Sequence, residues 1–114
     1  MTTQEVASRL VQLCQNGEFV EAEEELYGPN IIHVEANGTE FKDFDAVLLK
    51  EKQFLEKLEY KPLIKISEPI VAGDYFSISM HMEFTHKELE SKTIDEIIVY
   101  QVTRGKIAYL KCYF

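Results

Sequence analysis

The sequence lacks several features that would assign it to a specialised class of protein. Its 114 residues include no tryptophan and only two cysteines, and they contain no repeat, linker or low-complexity segment. Cys14 and Cys112 lie in different predicted elements, so we expect free, buried thiols rather than a disulfide framework. No apolar run approaches the length that spans a membrane. With 46% hydrophobic residues, the chain is predicted to form one domain over residues 1–114.

Positive charge is scarce. Twelve lysines and arginines face 20 aspartates and glutamates, which gives a net charge of −8. Neither nucleic acid nor an anionic membrane is therefore an expected partner. Residues Met1–Arg9 lack the basic start and the apolar stretch of a secretory signal, so a cytoplasmic protein is predicted. The glutamates at Glu21 and Glu23–Glu25 are interpreted as a solvated helix face.

Hydrophobic periodicity predicts three helices and then a sheet. The helices are predicted at about 2–17, 18–27 and 43–58, and the strands at 31–35, 62–72, 75–85, 93–102 and 106–114. Thr2 and Glu5 have the spacing of a capping box at the start of the first helix. Helices grouped on one face of a curved antiparallel sheet give an α+β domain.

One carboxylate interrupts a strand that is otherwise typical of a protein interior. Glu96 shares a strand face with Ile98 and Tyr100. A carboxylate among such neighbours is costly unless it is paired, hydrogen-bonded or hydrated. This face is therefore expected to border a cavity. In the alternative interpretation, Glu96 belongs to a structural network and pairs with Lys111 or Lys106 across the last hairpin.

Both faces of the last two strands are apolar. Ile97 and Val99 oppose the Glu96 face, and Leu110 alternates with Tyr109 on the following strand. A sheet that is apolar on both sides needs a cover on each, and the helices can supply only one. A second subunit is the simplest cover for the other side. The sequence therefore predicts a homodimer packed through the convex face of the sheet, with Ile97, Val99 and Leu110 in the interface.

Several short motifs, in their order along the chain, resemble the nuclear transport factor 2-like superfamily. They are Glu25-Leu26-Tyr27 followed by Ile31-Ile32-His33-Val34-Glu35, then Val71-Ala72-Gly73-Asp74, and finally Glu96-Ile97-Ile98-Val99-Tyr100-Gln101-Val102 with Arg104-Gly105-Lys106-Ile107. Within the superfamily the chain is similar to SnoaL-like proteins, which are related to ketosteroid isomerases and polyketide cyclases. The resemblance implies a cone-shaped fold, in which the sheet wraps around three helices and leaves a pocket at the open end. It also implies frequent homodimers.

The resemblance implies a catalytic position just after the first strand, where Glu35 stands. A carboxylate in an apolar cavity can have its pKa raised toward neutrality, which suits proton abstraction beside a carbonyl. Tyr100 or Glu96 would then polarise the substrate. Cyclases of this type carry a histidine or aspartate in the later strands, where this chain has Glu96 and Lys111. Alternatively, Glu35 is a solvated residue at a strand end or a cap for the next loop.

Other side chains are candidates for contact with a ligand. They are His33, Phe54, Met80, Met82, Tyr109 and Lys111. The phenylalanine and the two methionines have an alternative role as ordinary core residues, because their spacing is that of one helix or strand face. No cofactor is expected.

Two histidines each stand two residues before a glutamate. His33 precedes Glu35, and His81 precedes Glu83. A metal site needs three or four convergent ligands, and neither pair supplies them. The alternation of the 75–85 strand also turns His81 away from the cavity side. No metal site is expected.

Three functional classes remain open. The first is binding of a small apolar molecule in an acid-lined pocket. The second is an isomerase, cyclase or dehydratase that acts on a small apolar carbonyl compound, with Glu35 as general base. The third is a dimeric scaffold without catalysis.

Overall fold

The computed structural model describes all 114 residues as three helices and a seven-stranded sheet. The helices are α1 (Thr3–Gln15), α2 (Phe19–Leu26) and α3 (Phe44–Glu56). The strands are β1 (Tyr27–Val34), β2 (Glu40–Lys42), β3 (Leu63–Ile66), β4 (Ile70–Ala72), β5 (Tyr75–His86), β6 (Glu90–Thr103) and β7 (Lys106–Tyr113). None of the helices combines the length and the apolar composition that crossing a bilayer requires.

The sheet is curved and unclosed, and it is covered by helices on one face, so the predicted α+β architecture is confirmed. Its strand order is β2-β1-β7-β6-β5-β3, and β4 pairs with β5 as well. The sheet is mixed rather than antiparallel throughout, because β1 and β7 run parallel. The chain reaches β7 only after crossing α3 and the meander β3–β6, and this crossover brings β7 alongside β1 in the same direction.

The capping box predicted at the start of the first helix is present. Thr2 and Glu5 form a capping box, in which the Glu5 amide donates to Thr2 Oγ1 at 3.1 Å and the Thr2 amide donates to Glu5 Oε1 at 2.9 Å. Arg9 then makes an ion pair with Glu25, with 2.7 Å between Nε and Oε2. This exposed contact connects α1 to α2.

A tight hairpin connects β6 to β7 and is followed by a bulge. Arg104 and Gly105 both have positive φ, which is the requirement of a two-residue type I′ turn. Val102 pairs with Ile107, whereas Gln101 pairs with Tyr109, so the register shifts by one residue. The unpaired extra residue, Ala108, is a β-bulge.

The bulge reverses the side-chain alternation of β7. Ile107 and Leu110 are 0% and 1% exposed, and both face the helices. A regular strand would place them on opposite faces. The prediction that Leu110 lies on the convex, dimer-forming face is therefore wrong. Tyr109 and Lys111 lie on the convex face instead.

The hydrophobic core fills the space between the helices and the concave face of the sheet. The largest fully buried side chains are Phe76, Leu10, Leu26, Ile31, Ile107, Leu110, Val6 and Val47. Both cysteines are buried and unpaired, as predicted. On the convex face, Ile97 and Tyr113 are 54% and 48% exposed. The homodimer stays a prediction.

Candidate functional site

A cavity of about 300 Å³ opens between the helices and the concave face of the sheet, and 15 of its 21 lining residues are hydrophobic. Its opening is marked by lining residues that are partly or fully exposed, among them Ile94 and Phe114. Most of the predicted site residues line it, namely His33, Glu35, Phe54, Met80, Met82, Glu96 and Tyr100. The structure thus brings together residues from β1, α3, β5 and β6.

Two predicted ligand contacts, Tyr109 and Lys111, do not reach the cavity. On the convex face, Tyr109 lies opposite Gln101 and Lys111 lies opposite Val99. The ammonium of Lys111 lies 5.2 Å from the centre of the Tyr113 ring. The prediction failed because it assumed regular alternation from Ile107, and the bulge at Ala108 inverts every later position of β7.

The structural network suggested for Glu96 is also wrong. Lys111 lies on the other face of the sheet, and Lys106 donates to the backbone carbonyl of Glu25 at 2.6 Å. Glu96 instead lies opposite Met80 on the concave face, where it lines the cavity as predicted. Burial raises the pKa of Glu96 to about 7, and the negative charge of Glu35 contributes to the increase. Glu96 can therefore gain or lose a proton near neutral pH.

Glu35 has the opposite electrostatic environment from the one predicted. Its Oε2 lies 3.7 Å from His33 Nε2, and its Oε1 lies 2.7 Å from the ammonium of Lys50 on α3. His33, together with Lys50, holds the pKa of Glu35 down to about 2 in spite of partial burial. The prediction of a raised pKa is wrong, because the sequence analysis missed Lys50. The helical spacing of Val47, Lys50 and Phe54 was the signal that could have found it.

Tyr100 follows Glu96 and Ile98 on the same strand face and is almost fully buried. Burial raises the pKa of its phenol well above the ordinary value of 10. The hydroxyl therefore stays protonated at physiological pH and is available as a hydrogen-bond donor. Its ring stacks on Phe76, with 4.5 Å between the ring centres. Phe76 lies opposite Tyr100 on β5, and this packing restricts the position of the Tyr100 ring.

Two further acids line the cavity and were missed by sequence reasoning. Glu23 on α2 is only 7% exposed, and its Oε1 has no hydrogen-bond partner. Burial, with a contribution from the charge of Glu51, raises the pKa of Glu23 to about 9. Glu51 on α3 also has a raised pKa, caused mainly by burial. Both side chains face the cavity.

The interpretation of the α2 glutamates as a solvated face is correct for Glu21, Glu24 and Glu25, which are exposed, and wrong for Glu23. The pattern that reveals the difference is the spacing of the buried residues of α2, which are Phe19, Ala22, Glu23 and Leu26. These positions follow the i, i+3, i+4, i+7 rule for one helix face. A glutamate on that face had to be buried.

Three groups of the kind that bind metals meet at the edge of the cavity. Atoms of His33, Glu35 and Cys112 lie within 4.8 Å of one another, and Cys112 Sγ is 3.9 Å from His33 Nε2. Such a set could fill three positions around Zn²⁺. However, Lys50 already pairs with Glu35, and burial raises the pKa of the Cys112 thiol to about 12. A dication would therefore have to displace both an ammonium and a thiol proton.

The second histidine, His81, lies outside the cavity, at the position that the alternation of β5 predicted. Its Nδ1 is 2.6 Å from Asp95 Oδ1, and its Nε2 is 2.9 Å from Glu83 Oε2. Both carboxylates, with Glu83 first, raise the pKa of His81. The contact with Asp95 connects β5 to β6 on the convex face, whereas the contact with Glu83 lies within β5.

Residues 1–114 match the sequence model of the SnoaL-like domain family. A candidate SnoaL-like polyketide cyclase from Mesorhizobium loti is 27% identical, with a TM-score of 0.90 and full coverage of both chains. A protein of unknown function with a cystatin-like fold, from Xanthomonas campestris, has a TM-score of 0.81 at 14% identity, covering 99% of this chain and 90% of that one. An LEH-like epoxide hydrolase from M. tuberculosis has a TM-score of 0.77 at 12% identity, with coverage of 98% and 81%. No curated protein matches the sequence.

Proposed function

Since this chain belongs to the SnoaL-like domain family, we propose that its cavity binds a small and largely apolar molecule. The predicted resemblance to this family is confirmed. The fold alone does not determine a function, because unrelated activities share it. The proposal therefore rests on the cavity itself.

The observation that carries the proposal is the composition of the cavity wall. Hydrophobic side chains make up 15 of the 21 lining residues, and the other six carry titratable groups. Ligand pockets typically combine an apolar lining with a small number of placed polar groups, and 300 Å³ is at the lower end of their usual size. Such a cavity suits a small molecule with one polar end.

Binding can be tested with a matched pair of tryptophan variants on neighbouring residues of β6. Ile94 lines the cavity, whereas Thr93 points away from it. Ile94→Trp should fill the entrance and weaken the binding of neutral apolar alcohols and ketones by at least about tenfold, and Thr93→Trp should leave it unchanged. Binding would be followed through the methyl NMR signals of Met80 and Met82. Equal effects of the two variants, or no binding by the wild type, would contradict the proposal.

A second function, proton transfer on a bound carbonyl compound, is favoured by one specific observation. Glu96 has its pKa raised to about 7 inside the cavity, and a general base works best when its pKa is near the operating pH. The M. loti protein, which is described as a candidate polyketide cyclase, gives this function additional support. The proposed base is Glu96 rather than Glu35, because a carboxylate with a pKa of about 2 is a weak base.

In this reaction the ionised Glu96 would remove a proton from the carbon beside the carbonyl. The protonated hydroxyl of Tyr100, which lies on the same strand face, would donate a hydrogen bond to the developing enolate oxygen. If the ketone is β,γ-unsaturated, return of the proton to the γ-carbon would move the double bond into conjugation with the carbonyl and complete an isomerisation. No redox partner is needed.

The reaction can be tested by deuterium exchange at the α-carbon of a small apolar ketone. Glu96→Gln should lower the exchange rate by about 100-fold or more. Asp95→Asn, which changes the neighbouring exposed residue, serves as the control. The wild-type rate should rise with pH through about 7, as the base ionises. A rate that is unaffected by Glu96→Gln would exclude this mechanism while leaving ligand binding intact.

A further inference from the structure

The cavity is lined by more acidic side chains than basic ones. Four glutamates line it, and they are Glu23, Glu35, Glu51 and Glu96. Lys50 is the one lysine or arginine among the lining residues, and its ammonium is already 2.7 Å from Glu35. The other titratable lining groups are His33, the thiols of Cys14 and Cys112, and the phenols of Tyr27 and Tyr100. Three carboxyl groups therefore have no basic partner of fixed charge.

One of these groups is both buried and unsatisfied. Glu23 is 7% exposed, and its Oε1 makes no hydrogen bond. A buried polar atom without a partner is energetically costly, so native structures rarely keep one without a reason. Glu51 from α3 faces the same cavity. A group that entered the cavity between α2 and α3 would meet both side chains.

The apolar part of the wall is suited to the same kind of occupant. Aromatic rings from several elements line the cavity, namely Phe19, Tyr27, Phe54, Tyr100 and Phe114. The faces of aromatic rings attract cations, most strongly where water is excluded. A positively charged head on a small apolar body would therefore meet carboxyl groups and aromatic rings in the same cavity.

Building on the proposed function, we infer that the cavity binds a small organic cation, a tertiary or quaternary amine, with its charged head against Glu23 and Glu51. A neutral ligand would leave the acids of the cavity as they are in the free protein. A cation instead stabilises their ionised forms, so binding should drive the carboxyl proton of Glu23 into solvent. In the complex, the positive charge of the ligand is then balanced by the ionised carboxylate of Glu23, a side chain that is already buried in the free protein.

The inference can be tested with two probes of nearly the same shape. Choline carries a quaternary ammonium that cannot titrate, and 3,3-dimethylbutan-1-ol is its neutral isostere. Calorimetric titrations of both, at about pH 7.5 in phosphate and in Tris, measure affinity and the number of protons released. Choline should bind at least about tenfold more tightly than the alcohol, with the release of up to about one proton per site. About 150 mM salt suppresses non-specific attraction to the acidic surface.

Two variants test whether Glu23 is responsible for the preference for choline and for the release of the proton. Glu23→Gln should lower the affinity for choline by about tenfold or more and abolish proton release, while the affinity for the alcohol stays the same. Glu24→Gln changes the neighbouring exposed residue of α2 and should alter neither. If the alcohol binds as tightly as choline, or if choline releases no proton, the inference is wrong although the cavity still binds ligands. If neither probe binds, the proposed function fails together with the inference.

Discussion

The ammonium of Lys50 lies 2.7 Å from Glu35 Oε1, and this ion pair joins α3 to the end of β1. It also removes Glu35 from acid–base chemistry at neutral pH, because the carboxylate is held in its ionised form. Glu96, which has no such partner, keeps a pKa of about 7. Two carboxylates of one cavity therefore have different chemical properties, because His33 and Lys50 lower the pKa of Glu35 whereas burial raises that of Glu96.

The ion pair should make stability depend on acidic pH. The pKa of Glu35 is lowered to about 2 in the folded state, so its contribution is fully present above the ordinary pKa of 4.5 and is lost as the pH falls toward 2. Glu35→Gln should cost about 1–2 kcal/mol of unfolding free energy at pH 7, after allowance for partial exposure. Urea unfolding at several pH values measures it. Glu40→Gln, which breaks the exposed pair with Lys42, should cost little, and an equal loss would contradict the expectation.

Glu23 should have the opposite effect on stability. Its pKa is raised from 4.5 to about 9 by folding, so the wild type should lose stability as the pH rises through this interval. Glu23→Gln should remove that loss and stabilise the protein at pH 8 by more than about 1.4 kcal/mol, the equivalent of one pKa unit. Thermal unfolding of the variant and of Glu24→Gln, measured at pH 5 and pH 8, provides the comparison. A stabilisation that is the same at both pH values would indicate a packing effect rather than titration.

The pKa of Glu96 should respond to its charged neighbours in a defined direction. Glu35 raises it and Lys50 lowers it, in addition to the larger effect of burial. Glu35→Gln should therefore lower the pKa of Glu96, and Lys50→Met should raise it. Carbon-13 NMR of the glutamate carboxyl groups measures both shifts. Shifts of the same sign in the two variants would show that structural rearrangement, not charge, governs this site.

The homodimer predicted from the sequence has a direct test on the convex face. Ile97 is 54% exposed there, and Tyr113 lies opposite it on β7. If this face pairs two subunits, Ile97→Glu should place unpaired charges in the interface and give a monomer. Sedimentation velocity would show a wild-type mass near twice the 13.2 kDa of one chain. A monomeric wild type would contradict the prediction.

The fold was predictable because its signals are local. The capping box of Thr2 and Glu5 and the alternation of β5 each depend on a few neighbouring residues, and each acts as predicted. The Arg104-Gly105 hairpin is equally local. The position of Glu96 on the cavity side was also predictable, because its strand alternates without interruption through Ile98 and Tyr100.

The wrong predictions concern properties that depend on residues far away in the sequence. The bulge at Ala108 is created by the pairing of β7 with β6. No residue type near Ala108 indicates a bulge, so the sequence did not predict that Lys111 lies on the convex face. The pKa of Glu35 depends on Lys50, which lies on another element. Glu23 is different, because its burial was predictable from the spacing of the apolar residues on α2. It was missed because Glu23 was grouped with the neighbouring charged glutamates.

The parallel pairing of β1 with β7 has a consequence for the order of folding. It joins Val34 to Lys111, residues far apart in the chain, and pairings of such high contact order form slowly. Until β7 docks, β1 presents an open edge and the cavity lacks the wall formed by Leu110 and Cys112. A nascent chain in which β7 has not yet left the ribosome therefore lacks this wall of the cavity. The ligand proposed for the cavity would stabilise the chain only after β7 has docked, so its binding would report the docking of this strand.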